Sequence, residues 1–228
     1  MPTDHDVATA PLERHLLPRS ASVDERGHLH VGGIDLLELV AQFGTPLFVY
    51  DEDHLRHACR EAVAAWGDGV AYASKAFLCR AMARLADEEG MHLDVASGGE
   101  LHVALAAGVA PERLVLHGNN KSAEELAMAV AHGVGRIVID SFDEIARLGG
   151  LLESVAPGRD RPRVLVRVTP GVEAHTHEFV RTGQEDSKFG FSVSSGAAAE
   201  AVAAVELMPG VELVGIHAHI GSQVFDAS

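Results

Sequence analysis

Cysteine and basic side chains are the scarce groups in this chain of 228 residues. It holds two cysteines, Cys59 and Cys79. Two thiols cannot build a multi-bridge disulfide framework, and their separation excludes a CxxC redox or zinc motif. Lysine and arginine number 18 against 33 acids, a formal charge of −15. Phosphate binding needs clustered Lys and Arg, so a nucleic-acid partner is excluded. Long hydrophobic runs are missing too. Runs such as Leu126–Ala131 and Ala201–Val205 fall far below the roughly 20 residues a membrane helix needs. The first twenty residues hold no apolar signal core. What is present is 47% hydrophobic residues, too many for a disordered chain. The expectation is an acidic, cytoplasmic, globular enzyme or metabolite binder.

The opening residues, with Pro11 and Pro18, read as a leader. His28–Val31 alternates like a short strand. Asp35–Phe43 has helical apolar spacing and stops at Gly44, a C-terminal helix signal. Pro46–Tyr50 reads as a strand, and Asp51 then caps a helix running to about Trp66. A regular rhythm follows. Strands are predicted at Val70–Ser74, His92–Val95, Leu114–His117, Arg136–Ile139, Val164–Val168 and Leu213–Ile216. Helices at Leu78–Glu89, Gly99–Ala107, Ala123–His132, Phe142–Val155 and Ala197–Ala204 alternate with them. Successive strand starts lie 22, 22, 22, 28 and 49 residues apart. Such alternation means parallel βαβ units. A doubly wound open sheet alternates in the same way. Even spacing, with no glycine-rich phosphate turn after the first strand, favours a (β/α)8 barrel.

A full barrel has eight units and about 250 residues. Six are counted here, so the fold class is an α/β chain with an incomplete barrel over residues 45–228. Residues 1–44 form the leader and a separate segment. The chain is expected to be the amino-terminal part of a longer protein. Alone, its open strand edges should make it aggregation-prone and inactive.

Active sites of parallel barrels lie at the carboxyl ends of the strands. Those ends carry Ser74-Lys75, then Asp94 with Ser97–Glu100, then His117–Asn120. The later ones carry Asp140-Ser141, then Arg167 with Thr169–Gly171, and finally His217, His219 and Gly221–Gln223. All six are polar or ionisable. Lys75 stands out. A lysine at such a mouth should lose hydration, which frees its amine as a nucleophile. An amine and an aldehyde give the Schiff base that holds pyridoxal phosphate; a lysine snorkelling to the rim is the plainer reading. His217 and His219, two apart on a strand, share one face. They can be a metal pair, a ring-stacking residue with a packed neighbour, or hydrogen-bonded core histidines. His175 and His177 repeat the spacing in a polar loop. Gly221-Ser222 offers donors for a phosphate oxygen. Asp186–Gly190 lies in the long excursion between the fifth and sixth strands, a length often associated with function.

The blocks YASKAF, LDVASGGEL, HGNNKS, RVTPGVEAHTHEF, DSKFGFS and HAHIGSQ closely resemble the fold-type III, alanine-racemase-like family of pyridoxal-phosphate decarboxylases. The likeness runs from about Gly44 to Phe225. HGNNKS and the TPGVEAHTHEF…DSKFG block resemble the diaminopimelate branch of that family. The resemblance implies pyridoxal 5'-phosphate as cofactor and no metal. It implies that Lys75 links to the cofactor, that His219 stacks on its ring, and that Ser222 binds its phosphate. Asp94 and Glu100 would support the lysine, and Arg167 would set the cofactor's hydrogen-bond network. His117 and Lys188 would line the site. The implied fold is a barrel plus a largely carboxyl-terminal β-domain that the amino-terminal segment joins.

The implied reaction is decarboxylation of meso-2,6-diaminopimelate to L-lysine and carbon dioxide, the last step of lysine biosynthesis, in a homodimer. The alternatives are a decarboxylase of ornithine, arginine or carboxynorspermidine, and a metal-dependent barrel hydrolase using the HxH pairs. The family's phosphate-binding glycine loop, pyridine-facing acid, substrate-carboxylate binders and catalytic cysteine belong beyond the sixth strand. The chain therefore carries about half of such a site.

Overall fold

The computed structural model describes residues 12–154, 161–171 and 188–220. The chain divides into two compact units, one ending at Val70 and the other starting at Ala71.

In the first unit, strands β1 (Ser22–Val23), β2 (Leu29–Val31) and β3 (Ile34–Asp35) form an antiparallel sheet in that order. Helix α1 (Leu36–Phe43) packs against β2 and β3. Asp35 caps it, accepting the Leu37 N–H at 2.8 Å, and also holds His28 Nδ1 at 2.8 Å. Helix α2 (Glu52–Trp66) begins at the expected cap, where Asp51 accepts the His54 N–H at 3.1 Å. The strand expected at Pro46–Tyr50 does not form; the segment belongs to neither sheet. Its side chains are exposed, Phe48 by 86%. β-rich composition describes a chain suited to a pleated, half-buried surface, and a strand exists only where a ladder pairs with it.

The second unit follows the predicted alternation. Its strands are β4 (Ala71–Ala73), β5 (His92–Val95), β6 (Leu114–Leu116), β7 (Arg136–Ile139), β8 (Arg163–Thr169), the short β9 (Phe191–Ser192) and β10 (Glu212–Ala218). The sheet order is β10-β8-β7-β6-β5-β4, with β9 beside β8, and every pairing is parallel. Helices α3 (Arg80–Glu88), α4 (Gly98–Ala107), α5 (Ala123–His132), α6 (Phe142–Glu153) and α7 (Ala197–Glu206) alternate with the strands, each packing on the next.

The period-2 pattern separates the two faces of this sheet. Leu93, Leu114, Leu116, Ile137, Ile139, Val164 and Val166 are fully buried, as are Leu101, Leu126, Ala129, Leu148 and Ala201 on the helices. One strand face and the inner stripes of the helices make the core. The alternate strand positions form the opposite face, and register places Ala73 level with Asp94, Val138 with Leu165, and Arg167 with His217.

The sheet is strongly curved. Along it, β6 and β10 are three strands apart, about 14 Å if flat. Yet the His117 and His217 ring centroids, carried by these strands, meet at 4.9 Å. Side chains on a flat sheet stand parallel and do not converge in this way. Curvature that closes the second face into a concave wall is the geometry of a barrel, and it decides against the open doubly wound alternative.

Candidate functional site

The concave face carries the chemistry. Asp94, Val115, His117, Val138, Asp140, Leu165, Arg167 and His217 follow one another on it by strand register. At the carboxyl end this becomes a polar layer. His117 Nε2 lies 3.3 Å from Asp94 Oδ1, and the His117 and His217 rings meet edge to face at 70°. Next along, Arg167 Nη1 donates to Asp140 Oδ2 at 3.1 Å. The Arg167 guanidinium also lies 4.6 Å from the centroid of the Phe189 ring.

Burial holds both histidines of the HxH pair neutral. His217 has its pKa lowered to about 4, first by desolvation and then by the neighbouring His117 and the Arg167 charge, with Asp94 opposing. His219, one residue beyond the end of β10, is lowered by desolvation and by the charges of Arg167 and Lys75. Lys75 follows β4, and His219 follows β10, the two edge strands of the sheet.

Lys75 sits in a turn of 3-10 helix, Ser74–Ala76, directly after β4. Its side chain is exposed, which corrects the expectation of a dehydrated amine. The reason is position: β4 ends the sheet, and among the described residues no further strand lies beyond it. Ser74 is different. It is 2% exposed and its Oγ has no hydrogen-bond partner. His217 Nδ1 is likewise buried and unsatisfied. Buried polar atoms are normally bonded, so these two orphans, at the carboxyl ends of β4 and β10, are what a polar ligand would satisfy.

Glu100 serves the turn after β5. Its Oε2 accepts the Ala96 N–H at 2.7 Å, while Ser97 Oγ caps α4 by accepting the Glu100 N–H at 3.2 Å. The carboxylate thus shapes the backbone that follows Asp94. Lys188 is exposed, its Nζ 5.2 Å from the Phe189 ring centroid. Ser222, His175, His177, Asp186 and Gly221 lie outside the described residues. Among the described residues no three His, Cys, Asp or Glu side chains gather as metal ligands. His217 and His219 therefore have no third ligand among the described residues, which a catalytic zinc site needs.

Two buried groups were not singled out by the sequence. Asp140 was only one polar strand end among six. Lys121, inside HGNNKS, is 2% exposed. Its Nζ pairs with Glu144 Oε1 at 2.8 Å and donates to the Gly118 and Val138 carbonyls at 2.7 and 2.6 Å. The available signal was the face of the sheet: Asp140 shares by strand register the face that carries Asp94 and Arg167. A buried lysine carries no comparable signal in sequence.

A concave parallel α/β face with an amine, neutral imidazoles, a guanidinium and carboxylates at its strand ends defines the class of barrel enzymes that work on small molecules. Comparison with known proteins narrows it: residues 52–228 match the family described as "Pyridoxal-dependent decarboxylase, pyridoxal binding domain", and the chain belongs to that family. It is 54% identical to a diaminopimelate decarboxylase of Mycobacterium tuberculosis over 217 residues, covering 94% of this chain and 48% of the relative. It is 50% identical to that of Bacillus subtilis over 210 residues, covering 90% and 47%. A solved diaminopimelate decarboxylase from M. jannaschii in complex with L-lysine superposes with a TM-score of 0.80 at 32% identity, covering 91% of this chain and 49% of that one. The chain spans about half the length of the curated relatives it matches. The second unit is thus a pyridoxal-phosphate-binding barrel portion, and the orphaned Ser74 Oγ, next to Lys75 in sequence, and His217 Nδ1, two residues before His219, fit a polar cofactor.

Proposed function

We propose that the intact protein decarboxylates meso-diaminopimelate to L-lysine and carbon dioxide with pyridoxal phosphate, completing lysine biosynthesis. The observation that carries this reading is the convergence of His117 and His217 across a curled sheet whose carboxyl ends bear Lys75 and His219, inside a chain about half identical to diaminopimelate decarboxylases. When bound, the cofactor supplies an electron-withdrawing ring that takes up the electron pair left by the departing carboxylate. Lys75 would hold the cofactor through its amine. His219, whose pKa burial lowers, would lay its imidazole against the ring. Ser222 binds the phosphate. Asp94, paired with His117, and Arg167, paired with Asp140, frame the polar layer around it. Glu100 keeps the turn after β5 in place.

The substrate is tested by mass spectrometry of products from the full-length protein given diaminopimelate, ornithine, arginine and carboxynorspermidine. L-lysine from diaminopimelate, far above any other product, is expected. Faster turnover of another amino acid contradicts the substrate. We also read the intact protein as a cytoplasmic homodimer. Family resemblance supports the dimer, and the biosynthetic reaction supports the compartment. No described helix is long and apolar enough to cross a membrane. Light scattering that returns the mass of one subunit contradicts the dimer.

A further inference from the structure

Asp140, just past the end of β7, is 4% exposed and uses both carboxylate oxygens. Oδ2 accepts from Arg167 Nη1 at 3.1 Å, and Oδ1 accepts the Gly190 N–H at 2.7 Å. The second bond fastens the segment that runs into β9. Thr169 Oγ1 secures it again, donating to the Phe189 carbonyl at 2.5 Å. Phe189 then lies against the Arg167 guanidinium. The approach is close. A Cβ on Gly190, whose φ is +70°, would stand 2.9 Å from the Arg167 carbonyl oxygen and 3.0 Å from its Cγ. Only glycine lets the segment sit so near.

Behind this cluster the post itself is braced. Glu144 Oε2 accepts the Asp140 N–H at 3.4 Å, and Lys121 ties Glu144 to the Val138 carbonyl. The carboxylate therefore joins the Arg167 side chain of β8 and the Lys188–Phe191 segment to one fixed point.

We propose that Asp140 is a positioning residue: its two oxygens fix the Arg167 guanidinium on the concave face and lock the Lys188–Phe191 segment against the end of β8. It acts through Arg167 and Gly190, and touches neither cofactor nor substrate. The inference rests on the reading of Arg167 as part of the cofactor site.

Two measurements on the full-length protein test it. The first is amide hydrogen exchange at Gly190 in the cofactor-free state, comparing Arg167→Met with Asp140→Ala/Arg167→Met. The pair of variants removes the acceptor without stranding a buried guanidinium. Exchange at Gly190 should rise about ten-fold or more when Asp140 is lost, with the β5 amides unchanged. The second is a cycle of kcat and KM for Asp140→Asn, Arg167→Met and their combination. Asparagine keeps the shape but offers one acceptor for two donors. Asp140→Asn alone should lower kcat about ten-fold with KM moving less than about three-fold, and should cost under about three-fold once Arg167 is gone. A residue that only stabilises the fold gives multiplicative losses in that cycle. Multiplicative losses, or unchanged Gly190 exchange, overturn the proposal. A wild-type protein that turns over no amino acid, with Gly190 exchange rising as stated, sinks the proposed reaction and leaves the clamp standing.

Discussion

Replacing Lys121 by methionine should be among the most damaging single changes in the second unit. Both side chains of the Lys121–Glu144 pair are 1% exposed. Desolvation pulls the Lys121 pKa down and the Glu144 pKa up, and each partner's charge opposes the other's shift. Whether the pair is ionised or shares its proton as neutral groups, losing the amine strands a buried carboxyl. It also removes the donor that the Gly118 and Val138 carbonyls share. Breaking a buried pair by removing one partner costs about 3–5 kcal/mol. A domain of this size loses roughly 2–4 °C of Tm per kcal/mol. The expected fall in Tm is therefore about 6–20 °C.

The control is Lys121→Met/Glu144→Leu. With no buried charge left over, most of the loss should return, because apolar replacement of a buried pair is often neutral. About 1–2 kcal/mol should persist from the two carbonyls. The assay is thermal and urea denaturation of the full-length protein. A single variant that melts within about 2 °C of wild type, or a double variant worse than the single, refutes the reasoning.

Gly135 opens β7 where the backbone passes the carbonyl of Glu112; a Cβ there would stand 2.0 Å from that oxygen. Gly135→Ala should cost on the order of 1–3 kcal/mol, seen as a lower urea midpoint with an unchanged slope. His217 should titrate near pH 4 by NMR, against an ordinary value of 6.5. Its folded pKa lies below the unfolded one, so the neutral ring's contribution is present above pH 6.5 and is lost as pH falls from 6.5 through 4. A His217→Phe variant should flatten that part of the stability profile. A His217 titration at 6.5 or above removes the cause assigned to it.

The alternating strands and helices were legible because each element closes on itself locally. Six strands fall where the spacing put them, with ends moved by no more than a residue or two, β10 (Glu212 to Ala218) shifting most. Asp51 and Gly44 acted as local helix signals and were read correctly. Pro46–Tyr50 failed because a strand depends on a ladder, and ladder partners are not encoded within five residues. The exposure of Lys75 was illegible for a related reason: it depends on which strand ends the sheet. The polar layer was half legible. Its members could be picked out as strand ends, but the meeting of His117 with His217 needs the curvature, and the work of Asp140 needs the fold to bring Gly190 back beside it.

The central claim is that Lys75 holds pyridoxal phosphate at the carboxyl mouth of this sheet. Borohydride reduction of the full-length protein with the cofactor, followed by peptide mapping, tests it directly. The account predicts a pyridoxyl label on Lys75 alone, abolished by Lys75→Ala; a label on any other lysine, or none, contradicts it.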